Sequence, residues 1–218
     1  MDIKIKRADV LRYLGYKGQE MSGELSEKID SLISQTEQVI SPKNVLGYFE
    51  ITQVDSGVKL EGTELILQGM DIKKHLKGCG GCYIFCATLG ARTENLIRTK
   101  QAVSVTDSLI ADAAATAAIE EYCDEIERQL RLEVGGEGRF LTWRYSAGYG
   151  DFPFTQQPQI LQLLQAEKYI GVSCLKSCVM MPRKSVTAVM GVAQNRPTDR
   201  LNKCDTCKNR DNCDFSCR

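Results

Sequence analysis

A short stretch, residues 143–153, combines the residue types that bind small polar ligands. Arg144 offers a planar fork of N–H donors that matches a carboxylate. Gly148 and Gly150 tolerate a positive φ and let another molecule approach the bare backbone. Two tyrosines add flat faces that end in hydroxyl groups. Together these residues predict a loop that holds a small polar ligand, partly through its backbone.

The residues on either side of this stretch predict the elements that present it. Residues 139–143 are typical of a strand, and residues 158–164 begin with a proline and continue as a helix. The chain is therefore expected to leave a strand, form an irregular loop and enter a helix. The alternative is a structural turn that simply requires its glycines, but the arginine four residues before Gly148 favours ligand binding.

Two motifs, and the spacing between them, resemble the activation domain of cobalamin-dependent methionine synthase. The first is Arg144-x-x-x-Gly148-Tyr149. The second follows a proline and a Leu-rich helix, and reads Met-Met-Pro-x-x-Ser-Val-Thr from Met180. The resemblance spans roughly residues 3 to 192. It implies an S-adenosylmethionine-binding domain, because the first motif forms the loop that binds this ligand in the family.

The resemblance assigns binding roles to four residues of the loop. Arg144 is expected to pair with the methionine carboxylate of S-adenosylmethionine. The backbone of Ser146 and Gly148 is expected to hydrogen-bond the ligand, and Tyr149 to lie against it. No residue is assigned a catalytic role.

The chain departs from the family's pattern at two positions. The family has a ligand-binding carboxylate on its long helix, where alignment on Glu121 places Ala117; Asp112, Glu120 and Glu121 are alternatives. The family also has a late ligand-contacting tyrosine, whereas this chain has no tyrosine after Tyr169. These departures favour a competing interpretation, a metal-binding interaction or electron-transfer subunit for another corrinoid methyltransferase.

The reaction implied by the resemblance is reductive methylation of cob(II)alamin. An electron arrives from a reductant such as flavodoxin, and S-adenosylmethionine donates the methyl group. Such a site needs orientation and exclusion of water more than acid–base groups, which agrees with His75 being the only histidine. The chain is thus interpreted as a stand-alone reactivation subunit in methionine biosynthesis, a methyltransferase component rather than an independent enzyme. Its implied partner is a separate cobalamin-binding methionine synthase chain.

A cysteine-rich C-terminal tail carries the second chemical signal. Four thiolates can close a tetrahedral shell around one ion, and the first pair has the spacing of a metal knuckle. Zinc and an iron–sulfur cluster both accept four cysteines, and a tail with reduced thiols is the alternative. We expect an activation-like domain at residues 1–194 and a linker with a metal-binding tail at 195–218. The predicted ligands are Cys204, Cys207, Cys213 and Cys217.

Composition excludes several other classes of protein. The sequence has 28 Lys and Arg against 28 Asp and Glu, so no net field favours nucleic acid. The N-terminus lacks the apolar core of a signal peptide, and no apolar run approaches a membrane span. These features favour a cytoplasmic protein with neither nucleic acid nor membrane as partner. Because that compartment keeps thiols reduced, the ten cysteines are not expected to form a disulfide framework.

Hydrophobic periodicity predicts an α+β fold, a single domain with a largely antiparallel twisted sheet and flanking helices, followed by the short tail. The Cys-Gly-Gly-Cys segment from Cys79 is interpreted as a tight turn before a buried strand. The expected helices are 8–14, 24–40 and 106–130, and the expected strands are 45–54, 58–60, 64–68, 83–89 and 185–192.

Overall fold

The computed structural model describes residues 3–195, so the predicted metal ligands Cys204, Cys207, Cys213 and Cys217 lie outside the described residues. The helices are α1 (Arg7–Tyr13), α2 (Gly23–Val39), α3 (Met70–His75), α4 (Ala91–Val103), α5 (Val105–Gly136), α6 (Gln157–Leu163) and α7 (Ala166–Ile170), with a 3-10 turn at Phe154–Gln156. The strands are β1 (Lys43–Val54), β2 (Gly57–Leu60), β3 (Ile66–Gln68), β4 (Cys79–Thr88), β5 (Phe140–Leu141), β6 (Ser173–Cys174), β7 (Met180–Met181) and β8 (Ser185–Ala193).

Six of these strands form one sheet in the order β3-β2-β1-β4-β8-β5, and β6 pairs with β7 in a separate hairpin. The pairs β1–β2, β2–β3 and β5–β8 are antiparallel. Short turns join β1, β2 and β3, so these strands form a small antiparallel meander. The predicted α+β fold with a largely antiparallel sheet is therefore confirmed.

Contacts between residues divide the chain into two compact units. Among the described residues, the first unit comprises 3–45, 86–126 and 160–186, and the second comprises 46–85, 127–159 and 187–195. The second unit contains most of the six-stranded sheet and the whole of the predicted ligand-binding loop, residues 143–153, which is called the candidate loop below.

The first unit is built around α2 and the first part of α5. The predicted helix 24–40 is confirmed as α2, and Ile29, Leu32 and Thr36 are buried along one side of it. The helix begins where the Ser22 hydroxyl accepts a hydrogen bond from the Leu25 N–H at 3.2 Å, a typical N-cap. It ends at Val39, shortly before Pro42, because a proline disfavours helical backbone at the residue that precedes it.

Helix α5 is longer than the sequence predicted. It has 32 residues, which gives a length of about 48 Å at the usual helical rise. Ile126, Leu130 and Val134 continue a buried stripe at four-residue spacing, and this stripe carries the helix past the predicted end at residue 130. The extension matters because it brings Arg131 into the helix, one turn after Glu127, which already lies within the predicted range.

Helix α4 was not predicted. Only Thr93 and Ile97 are buried along it, so its apolar stripe is too sparse to be recognised from periodicity. The helix begins directly after Gly90, whose φ of +81° is readily adopted by glycine.

The interpretation of the Cys-Gly-Gly-Cys segment as a tight turn is wrong. Cys79, Gly80, Gly81 and Cys82 form the start of strand β4. A side chain at Gly81 would lie within 3 Å of the Tyr48 ring and of the Phe49 carbonyl oxygen. Gly81 is thus required by the close approach of this neighbouring chain segment, and glycine in a strand often marks such an approach.

The two adjacent glycines of β4 allow a matched test of this correction. We expect Gly81→Ala to lower the free energy of unfolding by about 2 kcal/mol, because the added methyl group meets a backbone oxygen that cannot move aside. Gly80→Ala is the control, since a methyl group there meets no atom within 4 Å. Urea unfolding of both variants measures the difference. Equal stabilities would contradict the strand assignment.

Candidate functional site

The candidate loop leaves the sheet through a single pair of backbone hydrogen bonds. The Tyr145 N–H donates to the Val189 carbonyl at 2.9 Å, and the Val189 N–H returns a bond of 2.8 Å. The chain then turns back on itself, because the Gly148 N–H donates to the Phe152 carbonyl at 2.8 Å. The predicted order of strand, irregular loop and helix is confirmed, although the strand is only Phe140–Leu141.

Both glycines of the loop adopt backbone conformations that side chains disfavour. Gly148 has φ +97° and Gly150 has φ +55°. A side chain at Gly150 would collide with the Asp71 carboxylate and with the Tyr145 hydroxyl group, 2.7 Å from the added carbon. At Gly148 the added carbon would touch the Phe154 ring at 3.4 Å. The loop therefore needs glycine for its path as well as for any close approach by a ligand.

Asp151 fastens the end of the loop to the start of α3. Its carboxylate accepts hydrogen bonds from the N–H groups of Met70 at 2.7 Å and Asp71 at 2.8 Å. These bonds lower the pKa of Asp151, because they stabilise its charged form. Helix α3 has Gly69 at its N-cap, without a capping side chain of its own, so Asp151 supplies the missing acceptor. Sequence reasoning missed this role, since the residues are some eighty positions apart.

Tyr145 forms the base of the loop. Its ring is stacked on His75, with 5.0 Å between centroids, and lies nearly parallel to Phe152. The hydroxyl group donates to the Tyr149 carbonyl at 3.2 Å. Burial raises the pKa of Tyr145 to about 12, so the phenol stays neutral and keeps its proton for this bond.

His75 has a structural environment. Its Nε2 lies 2.9 Å from Thr142 Oγ1, which also accepts a bond from the Gly191 N–H at 2.8 Å. Burial lowers the pKa of His75 to about 4, and a hydrogen bond with the Trp143 backbone opposes this effect only in part. The imidazole is therefore neutral near pH 7, and it supports the loop rather than exchanging protons.

Arg144 lies against the long helix. Its side chain is 12% exposed, and Nε is 3.1 Å from Oε2 of Glu127, which is 18% exposed. The other oxygen of Glu127 accepts from Arg131 Nη2 at 2.6 Å. Sequence reasoning did not consider Glu127 as a partner of Arg144. The spacing of Glu127 and Arg131, four residues apart in a helix, was the available signal.

The structure brings all four predicted ligand residues onto this one loop. Arg144 is largely covered at its start, and Ser146 is half-buried, with its carbonyl accepting the Tyr149 N–H at 3.1 Å. Gly148 is exposed, and the Tyr149 side chain is 53% exposed. The loop thus presents bare backbone at Gly148 and an aromatic side chain at Tyr149 to solvent, and begins at the largely covered Arg144.

Ser185 and Thr187 of the second motif each make side-chain hydrogen bonds. The Ser185 hydroxyl hydrogen-bonds the Pro182 carbonyl at 2.6 Å and Thr88 Oγ1 at 2.9 Å. Thr187 is buried and exchanges hydrogen bonds of 2.7 and 3.0 Å with the Gln157 amide, at the start of α6. Thr187 therefore connects the second motif to the start of the helix that follows the loop.

The edge of the sheet next to this helix is closed by a side chain. The Gln156 amide accepts from the Gln68 N–H and donates to the Ile66 carbonyl, both at 2.7 Å. It thereby occupies the hydrogen-bonding groups that edge strand β3 would otherwise offer to another chain.

The two cysteines of the Cys-Gly-Gly-Cys segment are poor candidates for thiolate chemistry. Burial raises the pKa of Cys79 to about 11 and that of Cys82 further, so thiolate formation is disfavoured at both. Within residues 3–195, no three His, Cys, Asp or Glu side chains are grouped to hold a metal ion. In the same region, none of the helices combines the length and apolar character needed to cross a membrane.

The sheet order, the long α5 and the strand–loop–helix segment define the class of fold. A solved structure of this class, the MetH reactivation domain bound to AdoHcy, is similar over 89% of this chain and 75% of that chain, with a TM-score of 0.65 and 16% sequence identity. The resemblance to the methionine synthase activation domain is thereby confirmed in the fold. No family model and no curated protein matches the sequence.

Because His75 is the only histidine, its titration can be isolated. The unfolded chain binds a proton near the ordinary pKa of 6.5, whereas the folded protein resists protonation down to about 4. Stability should therefore fall as the pH is lowered through this window. Between pH ~7 and ~4.5, the free energy of unfolding should fall by about 2 kcal/mol less in His75→Phe than in the wild type.

Urea unfolding of both proteins across this range provides the measurement. Carboxylates titrate in both proteins and cancel in the comparison. Parallel pH profiles for wild type and variant would show that His75 is not held neutral.

Proposed function

We propose that this protein is a reactivation subunit of cobalamin-dependent methionine synthase. It binds S-adenosylmethionine for the reductive methylation of cob(II)alamin carried on a separate chain. The observation that carries the proposal is the glycine-containing loop, which begins at the nearly buried Arg144, in a fold shared with an AdoHcy-bound reactivation domain.

The loop offers each kind of contact that the amino-acid part of this ligand requires. The guanidinium of Arg144 pairs with the ligand carboxylate, which suits its planar set of donors. The backbone of Ser146 and Gly148 hydrogen-bonds the ligand, and Gly148 leaves room for close approach. The exposed ring of Tyr149 lies against the ligand. A tyrosine face also attracts a cationic sulfonium group.

The chemistry asks the chain to orient the methyl donor and to exclude water from it. When bound to its own chain, cobalamin supplies the nucleophilic metal that accepts the methyl group. Near pH 7, His75 does not take up a second ring proton and Tyr145 does not release its phenol proton, so no acid–base step passes through them. The rigid base under the loop holds the ligand's position instead, which agrees with a subunit that assists a methyltransferase and has no catalytic residue of its own.

The partners follow from this role. The main partner is the cobalamin-binding methionine synthase chain, with a flavodoxin-like reductant as electron donor and the cytoplasm as the compartment. The competing function is an interaction or electron-transfer subunit for another corrinoid methyltransferase. The spacing of the tail cysteines supports it, and the ligand titration below distinguishes the two.

Titration calorimetry with S-adenosylmethionine tests the proposal. We expect the wild type to bind, and Arg144→Ala to weaken binding at least about tenfold, or about 1.4 kcal/mol, through loss of the carboxylate contact. The matched control is Arg183→Ala, which removes an arginine outside the loop whose Nε lies 2.7 Å from Glu94 Oε1. Its affinity should equal that of the wild type.

Two outcomes would contradict the proposal. One is equal affinity in the two arginine variants. The other is no binding by the wild type, alone or with a cobalamin-carrying partner. The second result, together with an iron–sulfur spectrum from the tail, would favour the electron-transfer role.

We also propose that the tail holds zinc or an iron–sulfur cluster through Cys204, Cys207, Cys213 and Cys217. Four sulfur ligands complete a tetrahedral shell. Metal analysis and visible absorption of anaerobically purified protein should show about one metal centre per chain. Cys207→Ser should lose it, whereas Cys174→Ser should retain it. A metal-free wild type, or retention in Cys207→Ser, would contradict the proposal.

A further inference from the structure

Three charged side chains form a connected row beside the candidate loop. Glu127 Oε2 lies 3.1 Å from Arg144 Nε. Glu127 Oε1 accepts from Arg131 Nε at 3.0 Å and from Nη2 at 2.6 Å. Each carboxylate oxygen thus serves a different arginine, so the carboxylate has a defined orientation.

Arg131 also holds the backbone that leads into Arg144. Its Nη1 donates to the Leu141 carbonyl at 2.6 Å, and Nη2 approaches the Thr142 carbonyl at 3.3 Å. Glu127 and Arg131 lie one turn apart on α5 and form an i,i+4 pair. A single helical turn therefore contacts both the main chain before Arg144 and its guanidinium group.

The charges of the row leave a net positive charge. Glu127 alone would neutralise Arg144 and would compete with an incoming carboxylate. Arg131 compensates Glu127, so the three side chains sum to one positive charge. Arg144 and Glu127 are largely covered, at 12% and 18% exposure, and solvent screens such charges less than exposed ones.

We propose that Glu127 and Arg131 are positioning residues for Arg144, and that they make the loop selective for ligands with a free carboxylate. Glu127 fixes the guanidinium through its Nε edge, and Arg131 preserves the charge that the ligand meets. The identity of the ligand rests on the proposed function. The positioning of Arg144 rests on the contacts alone.

The first test compares two ligands in the Glu127→Gln variant. AdoHcy carries the carboxylate, whereas 5′-methylthioadenosine lacks the amino-acid group. We expect the variant to bind AdoHcy about tenfold more weakly, because Arg144 loses its fixed orientation, and this loss outweighs the removal of the negative charge that competes with the ligand carboxylate. Methylthioadenosine should bind to the variant as it does to the wild type. Adding Glu127→Gln to Arg144→Ala should cause no further loss, since Glu127 acts through Arg144. Glu94→Gln, which weakens the pair with Arg183, is the matched control and should change neither affinity.

Equal weakening of both ligands, or additive losses in the double variant, would overturn the inference and indicate a general structural role. A second measurement needs no ligand. The Arg144 Nε–H, followed by ¹⁵N NMR, should exchange slowly with water in the wild type and in Glu94→Gln, and faster in Glu127→Gln. Unchanged exchange in Glu127→Gln would overturn the positioning role. If the wild type binds neither ligand while its Nε–H is protected, the proposed function fails and the positioning of Arg144 stands.

Discussion

The candidate loop depends on the anchoring of Tyr145. Backbone bonds to Val189 fix its main chain, and stacking against His75 and Phe152 fixes its ring. A loop containing two glycines in positive-φ conformations would otherwise lose considerable backbone freedom on binding a ligand. Because the anchoring is built into the folded protein, that ordering cost is met before any ligand arrives. Preorganisation of this kind is what a site needs when it contributes orientation rather than acid–base chemistry.

The polar groups around the loop are arranged to stay in one protonation state. Burial keeps His75 neutral, and the buried phenol of Tyr145 retains its proton. Asp151 stays charged through the N–H groups at the start of α3. The guanidinium of Arg144 is permanently charged and is matched by Glu127. Near neutral pH, these four groups therefore keep constant charges.

Local patterns identified much of the fold and the loop itself. The stripe on α2 and the short turns of the β1–β3 meander depend on neighbours a few residues apart, so periodicity and turn chemistry suffice to find them. The same holds for the arginine, glycines and tyrosine of the loop, which lie within one short segment. A local pattern gave a wrong prediction where tertiary packing decided the backbone conformation. Gly80 and Gly81 suggest a turn, but close approach to Tyr48 and Phe49 places them in a strand.

The sequence by itself determined the α+β class, the strand–loop–helix order and the candidate ligand residues, because these depend on interactions between residues close along the chain. Only the tertiary structure decided which side chains surround Arg144 and the loop. Glu127 precedes Arg144 by seventeen positions, and Asp151 reaches Met70 across more than eighty. Partnerships over such separations depend on how helices and strands pack, and no local propensity encodes them.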